Sequence, residues 1–190
     1  MANNLVETVQ RSLGFPPLQK IDPNSQEAKQ KFLRYPQEKL AQAAIPAILT
    51  ALYRFTRSDE GCRIILSDIG QADWLGVIFR GKETIAVEKC ADYAGVTKKE
   101  AESAMENIAD EAVIILKKMA GSHPGMESIK AIMNAQRHNI LVYLPAALQM
   151  GDLLNEETLD DRTNKMEGPF SNFMHTIESK LSGSDSSKYP

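Results

Sequence analysis

The side chains that most often carry out chemistry in proteins, histidine and cysteine, are few in this sequence and lie far apart. The three histidines, His123, His138 and His175, fall in separate segments, and none has an acidic residue at the spacing of a metal or catalytic pair. Cys62 and Cys90 match no CxxC or Cys/His ligand pattern. The habits of free cysteine predict two buried, reduced thiols in a reducing compartment. We therefore predict no catalytic residue and no metal ligand.

Phosphate-binding and calcium-binding patterns are also missing from the sequence. The eleven glycines never form GxGxxG or GxxxxGKS/T. The acidic run from Glu156 to Asp161 suggests calcium, but a helix–loop–helix calcium site needs oxygen ligands at alternating positions and a central glycine. Counting from Asp161, Lys165 places a cation where a ligand should be. We interpret the run as a solvated connector and expect no nucleotide, metal or covalent cofactor.

Four polar or aromatic residues could line a pocket between helices: Trp74, Arg137, His138 and Tyr143. Their spacing does not select a reaction. They support the hypothesis of a small-molecule binding protein or enzyme, which we keep as the alternative to a non-enzymatic role.

The composition is that of an ordinary globular chain of 190 residues, 43% of them hydrophobic and 25% charged. A formal net charge of −3 lacks the basic footprint of a nucleic-acid-binding domain. The sequence has no basic start followed by the apolar run of a secretory signal. No stretch approaches the roughly 18 uncharged apolar residues of a spanning helix. We expect a cytoplasmic protein with no membrane span and no nucleic acid as partner.

The elements that must position these residues are helices. Apolar residues recur at steps of three and four, and no segment alternates apolar and polar residues between turn signals, which predicts an all-α fold. We predict a single multi-helix domain over residues 36–150. An N-terminal extension, residues 1–35, supplies a helix over 4–13 and a Pro-rich connector. Residues 151–190 form an acidic connector, an amphipathic helix and a frayed tail.

The clearest local signals lie in the middle of the chain. A helix over residues 82–94 is predicted to end at Gly95, a natural left-handed terminator. Thr97 and Glu100 then match a capping box, which opens a second helix over 98–120. This second helix has the most regular apolar repeat in the chain.

Prolines predict breaks in two other helices. A helix that begins at Pro36 should be kinked or split at Pro46, where proline removes one backbone donor and clashes with the preceding turn. A later helix should restart at Ser122 and run, with a bend at Pro145, to Met150.

Residues 83–119 also have the order of a helix-turn-helix. The phrase AVEKCADYAGVTKKEAESAMENI resembles the helical N-terminal part of bacterial histone-like HU proteins. Those proteins continue into a strand arm rich in Lys and Arg, whereas this chain continues into helix. The outer face of the second helix carries acidic residues that would repel phosphates, namely Glu100, Glu102, Glu106 and Asp110. DNA binding is therefore our third hypothesis, and a structural helix pair is the simpler explanation.

The segment WLGVIFRGKETIAVEKCADYAGVTKKEAESAMENIADEAVIILKK (74–118) resembles the YidB-like helical proteins of bacteria. In that family a Leu-Gly-x-Ile-Phe-Gly-x-Lys phrase precedes a helix, a Gly turn and a long apolar helix. Arg80-Gly81 departs from the usual Phe-Gly spacing, and the matching residues are Leu75, Gly76, Ile78, Phe79 and Lys82. The resemblance covers about residues 40–181. It implies an all-helical, cytoplasmic bacterial protein, and the family has no assigned reaction.

The most suggestive feature is the predicted amphipathic helix over 169–181, which the polar connector 151–168 tethers to the domain. Its apolar residues form one narrow stripe: Phe170, Phe173, Met174, Ile177 and Leu181. Such a stripe packs on its own domain or fits a groove of a second copy or another protein. Lys180 beside Glu178 disfavours a membrane-surface role, since such helices are rich in Lys and Arg. Our first hypothesis is a non-enzymatic interaction or scaffold protein that binds its partner through this stripe.

Overall fold

The computed structural model describes residues 4–22, 24, 25, 28, 33–68, 70 and 72–155. Over these residues the chain forms eight α-helices and no strand, which confirms the all-α prediction. In chain order the helices are α1 (Leu5–Ser12), α2 (Pro36–Thr56), α3 (Asp59–Ser67), α4 (Trp74–Phe79), α5 (Glu83–Ala94), α6 (Lys98–Ala120), α7 (Met126–Leu141) and α8 (Met150–Leu154). The chain divides into two units, residues 1–160 and 161–190, and every described residue belongs to the first.

Helix α2 lies at the centre of the fold and packs against each of the other seven helices. Every residue from Leu40 to Thr56 is buried except Arg54, which is half-buried. Its many alanines let neighbouring helices approach closely, because interaxial distance depends on the side chains at the contact.

Pro46 does not split α2, so of the two predicted outcomes, a kink or a split, the split is excluded. The helix is continuous from Pro36 to Thr56. An internal proline costs a helix about 3 kcal/mol. The residues on either side, Ile45 and Ala47, are fully buried. Packing on all sides of α2 offsets the cost of the missing hydrogen bond.

The N-terminal segment is part of the same core. Helix α1 packs against α2, α6 and α7, and its Leu5, Val6 and Val9 are fully buried. Two buried glutamines hold the segment in place. Gln136 Oε1 accepts a hydrogen bond from the Leu5 N–H at 3.0 Å, and Gln42 binds the connector that follows α1. Helix α1 and the described part of the connector after it therefore pack against the helices of the core.

The predicted turn and capping box between α5 and α6 are confirmed. Gly95 ends α5 with a left-handed φ of 70°. The Thr97 hydroxyl accepts a hydrogen bond from the Glu100 N–H at 3.2 Å, and the Glu100 carboxylate accepts one from the Thr97 N–H at 2.9 Å. One face of α6 then enters the core along its whole length.

The end of the described chain differs from the prediction of one bent helix up to Met150. Helix α7 stops at Leu141, a 3-10 turn covers Ala146–Leu148, and α8 follows. The Tyr143 carbonyl accepts a hydrogen bond from Gln42 Nε2 at 2.7 Å. Pro145, which has no N–H, also disfavours helix at the residue before it.

The segment after α7 also reaches past residue 151, because Gly151–Leu154, the first residues of the predicted connector, are helical and Leu153 and Leu154 are buried. Leu153 and Leu154 belong to the core. Lys82 Nζ donates a hydrogen bond to the Leu153 carbonyl at 2.6 Å, and Lys89 Nζ donates one to Gln149 Oε1 at 3.2 Å. These lysines hold α8 against α5. The amphipathic helix predicted over 169–181 lies outside the described residues.

No helix among the described residues is long and apolar enough to cross a membrane.

Candidate functional site

An open cleft of about 390 Å³ lies between α4 and α6. Its surface is mostly apolar, with charged side chains at the rim. The lining residues are Asp68, Gly70, Ala72, Trp74, Asp110, Val113, Ile114, Lys117 and Lys118. We call it the α4–α6 cleft.

Helix α6 supplies one wall because residues four and seven apart share a face of a helix. Asp110, Ile114, Lys117 and Lys118 therefore follow one another along the cleft as acidic, apolar and basic positions. Ile114 is 45% exposed, one of three large hydrophobic residues that remain exposed in the described part of the chain. Covering an exposed Ile in an apolar cleft with a second apolar group is favourable, because it removes apolar surface from water.

Helix α4 supplies the floor, and its start is fixed by a cap. Asp73 Oδ1 accepts a hydrogen bond from the Gly76 N–H at 3.1 Å. A Cβ at Gly76 would lie 2.7 Å from Asp73 Oδ2, so the cap and the glycine fit each other closely. The cap orients Trp74, the first residue of α4, whose ring is only 4% exposed. The floor at Trp74 is therefore apolar.

The basic end of the cleft is partly engaged by the protein itself. Lys117 Nζ donates to the Asp68 carbonyl at 2.7 Å and lies 3.5 Å from Asp68 Oδ2. This contact joins the end of α3 to α6. Lys118 is exposed at the rim. The cleft thus presents one structural lysine and one exposed lysine to whatever occupies it.

The acidic end holds Asp110, whose pKa is raised above its ordinary value of 3.8. Partial burial is the main cause, and the negative charges of Asp73 and Asp68 add to it. The charged form of Asp110 is therefore less stable than that of an ordinary surface aspartate. No group of three or more His, Cys, Asp or Glu able to hold a metal ion occurs among the described residues.

A second, smaller cleft of about 310 Å³ lies beside α1. It is more polar, and its lining residues are Val6, Glu7, Gln10, Arg11, Pro17, Leu18 and Tyr143. Burial raises the pKa of the Tyr143 phenol, and the negative charge of Glu7 adds to this effect. The phenol is therefore a neutral hydrogen-bonding group at neutral pH.

The four candidate pocket residues do not line the same cleft of these two. Trp74 lines the α4–α6 cleft, whereas Tyr143 lines the cleft beside α1. Arg137 and His138 lie on α7 and line neither of the two. His138 is exposed and Arg137 is half-buried.

The predicted partner-binding residues, Phe170, Phe173, Met174, Ile177 and Leu181, lie outside the described residues.

Sequence reasoning missed Ile114, although a signal for it existed. Residues 113–116, VIIL, are four consecutive apolar residues on a helix. Successive side chains on a helix are about 100° apart, so the four cover roughly 300°. A helix with solvent on one side cannot bury so wide an arc. Val113, Ile115 and Leu116 are buried, and Ile114 is the one left outside.

The cysteines are placed as predicted. Both Cys62 and Cys90 are buried and free. Burial raises the pKa of both thiols, that of Cys90 to about 12. The Cys62 thiol also donates to the Thr56 carbonyl at 3.0 Å. Neither group is a thiolate nucleophile at neutral pH.

The helix-turn-helix segment has an acidic free surface. Glu100, Glu102, Glu106 and Asp110 are all exposed, while the other side of α6 packs against α1, α2, α4, α5 and α7. An acidic face of this kind repels a phosphate backbone.

Three comparisons bear on family membership. No family model, no curated protein and no solved structure matches this chain. The resemblance to the YidB-like proteins therefore stays a prediction made from the sequence.

Proposed function

We propose that the protein is a non-enzymatic helical interaction protein that binds an amphipathic helix in the α4–α6 cleft. The observation that carries the proposal is the position of Ile114, which is 45% exposed beside the buried Trp74 in an apolar cleft with lysines at its rim.

The apolar surface supplies part of the binding free energy. Full burial of an aliphatic side chain contributes about 1.5–3 kcal/mol. Covering the exposed 45% of Ile114 therefore contributes about 1 kcal/mol. A helix that places residues i, i+3, i+4 and i+7 in a groove adds several such contacts of its own. This surface suits a reversible partner better than a permanent one.

Lys118 favours an acidic group on the partner at its own end of the cleft, because Lys117 beside it is paired with Asp68 and Asp110 lies at the other end. Lys117 and Lys118 lie together at one end of the cleft. Rim charges act mainly on association rate and on the choice of partner. An amphipathic helix with acidic flanks should therefore bind faster than the same helix with basic flanks, and salt should reduce the difference.

The cellular setting belongs to the same proposal. Buried, reduced cysteines such as Cys62 and Cys90 are typical of a reducing compartment. Together with the sequence resemblance, they support a cytoplasmic, bacterial protein. The acidic face of α6 disfavours a nucleic acid as partner.

The test is fluorescence anisotropy with short labelled helical peptides that carry apolar residues at i, i+3, i+4 and i+7. One peptide has Glu flanks and its twin has Lys flanks. We expect the Glu peptide to bind the full chain and Ile114→Asp to weaken it at least about tenfold, which corresponds to 1.4 kcal/mol.

Ile85→Asp is the matched control. Ile85 lies on α5 and is 47% exposed, nearly the same as Ile114, but it is outside the cleft. The proposal fails if neither peptide binds, or if the two Asp variants weaken binding equally.

A small-molecule binding role is a second candidate for the same cleft. Its volume of about 390 Å³ lies within the range of ligand sites, and Asp110 and Lys118 offer opposite charges beside an apolar floor. A compound library should then contain ligands that raise Tm, because saturation at 100 times Kd adds about 2.7 kcal/mol. Ile114→Asp should abolish the shift, and Ile85→Asp should not.

A further inference from the structure

We infer that the smaller cleft, the one beside α1, binds a small zwitterion: an α-amino acid with an aliphatic side chain. This inference is independent of the proposed function, because the two clefts share no lining residue. Its support comes from the charges of the lining, the absence of partners for them, the apolar surface beside them and the hydrogen bonds that hold the walls.

One wall of this cleft carries both signs of charge. Glu7 and Arg11 are one turn apart on α1, and both line the cleft. The lining therefore has one negative and one positive side chain, and its formal charge is zero. A dianion such as a phosphate ester would be repelled by Glu7. A zwitterion, in contrast, can place an opposite charge against each of the two side chains.

The polar groups of the cleft are open to a ligand. Residues four apart on a helix often form an ion pair, but no ion pair joins the described residues Glu7 and Arg11. Glu7 Oε1 instead accepts a hydrogen bond from Asn4 Nδ2 at 3.1 Å, towards the start of α1. Burial raises the pKa of the Tyr143 phenol and the charge of Glu7 raises it further, so these two groups lie near each other. The Tyr143 hydroxyl makes no hydrogen bond to another described residue.

A zwitterion can satisfy these groups together. A carboxylate accepts two parallel hydrogen bonds from a guanidinium such as that of Arg11, and one more from a neutral phenol such as that of Tyr143. An ammonium group donates to a carboxylate such as that of Glu7. In an α-amino acid both groups are bonded to one carbon, which suits partners that lie on one face of the same helix.

The size and the apolar part of the lining select the side chain of the ligand. Val6, Pro17 and Leu18 line the cleft beside the polar groups. The volume of about 310 Å³ is at the small end of the range of ligand sites. These features fit a short aliphatic side chain better than a nucleotide or a peptide.

Hydrogen bonds hold the three chain segments that form the walls. Gln10 Nε2 donates to the Phe15 carbonyl at 3.2 Å, which fixes the connector where it leaves α1. Gln42 binds the same connector at Gln19 and also binds the Tyr143 carbonyl, so one buried side chain joins the other two walls. A cleft whose walls are fixed before binding needs little ordering when a ligand enters, which favours affinity for a small molecule.

The experiment measures the affinity of the full chain for L-leucine and for two of its analogues by isothermal titration calorimetry. Isocaproate lacks the ammonium group of leucine, and isoamylamine lacks the carboxylate. We expect leucine to bind and each analogue to bind at least about tenfold more weakly, because each analogue loses a charge-assisted contact.

Three variants test the individual contacts. Arg11→Gln should weaken leucine binding about tenfold and leave isoamylamine unchanged, because this amine has no carboxylate. Glu7→Gln keeps an oxygen for Asn4 and should weaken leucine but not isocaproate. Tyr143→Phe should weaken leucine and isocaproate but not isoamylamine. Arg63→Gln is the matched control and should leave all three affinities unchanged, because Arg63 is an exposed residue of α3 outside this cleft.

Three results would overturn the inference. The first is no binding of leucine to the wild type at millimolar concentration. The second is equal affinity for leucine and isocaproate, which would indicate a site for carboxylates and not for zwitterions. The third is leucine binding that Arg11→Gln and Arg63→Gln weaken equally, which would place the ligand elsewhere on the protein. None of these results bears on the α4–α6 cleft, which the peptide titrations test separately.

Discussion

Gln42 is the residue whose replacement should most clearly test the account of the fold. Its side chain is fully buried in the central helix. Its Oε1 accepts a hydrogen bond from the Gln19 N–H at 2.7 Å, and its Nε2 donates to the Gln19 carbonyl at 3.0 Å and to the Tyr143 carbonyl at 2.7 Å. One side chain thus joins the N-terminal connector, α2 and the segment after α7. We call these three hydrogen bonds the Gln42 clasp.

The perturbation is Gln42→Leu, which keeps most of the volume and removes all three hydrogen bonds. Each hydrogen bond contributes about 1 kcal/mol net, so we expect a loss of about 3 kcal/mol in the free energy of unfolding. For a chain of this size each kcal/mol shifts Tm by about 2–4 °C, which predicts a fall of about 6–12 °C. Gln37→Leu, at an exposed position of the same helix, is the control and should change Tm little.

Trypsin distinguishes a local effect from a global one. Lys20 is exposed and lies between two residues whose backbone is held. Gln19 is bound by the Gln42 side chain, and the Ile21 N–H donates to the Val142 carbonyl at 2.8 Å. In the wild type this backbone is held, so cleavage after Lys20 should be slow. In Gln42→Leu it should become the first cut. Two results would refute the proposed role of the Gln42 clasp. One is a variant as stable as the wild type, and the other is a variant in which trypsin cuts all sites faster in parallel.

Three further predictions concern single groups. Asp110→Asn should raise stability slightly at pH 7, because solvent screens the charge of this largely exposed carboxylate. Because the pKa of Asp110 is raised in the folded state, its charged form lowers stability at pH values above that pKa. Below 3.8 the carboxyl is protonated in both states and has no effect, so urea unfolding at pH 3 should show equal stability for the wild type and the variant. Burial raises the pKa of the Cys62 and Cys90 thiols. A thiol reagent at pH 8 should therefore modify neither cysteine in the native protein and both after denaturation. Fast labelling of the native protein would contradict this. Thr97→Ala should cost about 1 kcal/mol by loss of the α6 cap, whereas Ser103→Ala on an exposed turn of α6 should cost far less in the same chemical denaturation.

Local signals predicted the parts of the fold that neighbouring residues determine. The Gly95 turn and the Thr97 capping box involve residues no more than four apart, so their sequence pattern is sufficient. The cap of α3 has the same short range, because the Ser58 hydroxyl accepts a hydrogen bond from the Gly61 N–H at 3.0 Å. Interactions of this range are nearly independent of the rest of the chain.

The features that sequence reasoning missed depend on partners far away in the chain. The clasp joins Gln42 to Tyr143, 101 residues away, and Gln136 binds Leu5 across 131 residues. No local pattern distinguishes these glutamines from surface ones. The continuity of α2 through Pro46 also depends on its neighbours, because burial on all sides outweighs a local break. Tertiary packing overrides local preference in such cases.

The candidate site shows why function was harder to predict than fold in this chain. The apolar repeat of α6 was interpreted as a core face, and for Ile115 and Leu116 that is correct. The same run of residues places Ile114 on the opposite side, in the cleft. One helix therefore serves both core and cleft, and its buried residues hold Ile114 in position. A polar substitution at Ile114 should remove the docking surface without opening the core, whereas the same substitution at Leu116 should unfold the domain. This separation makes the cleft testable even though its partner is defined only by its chemistry.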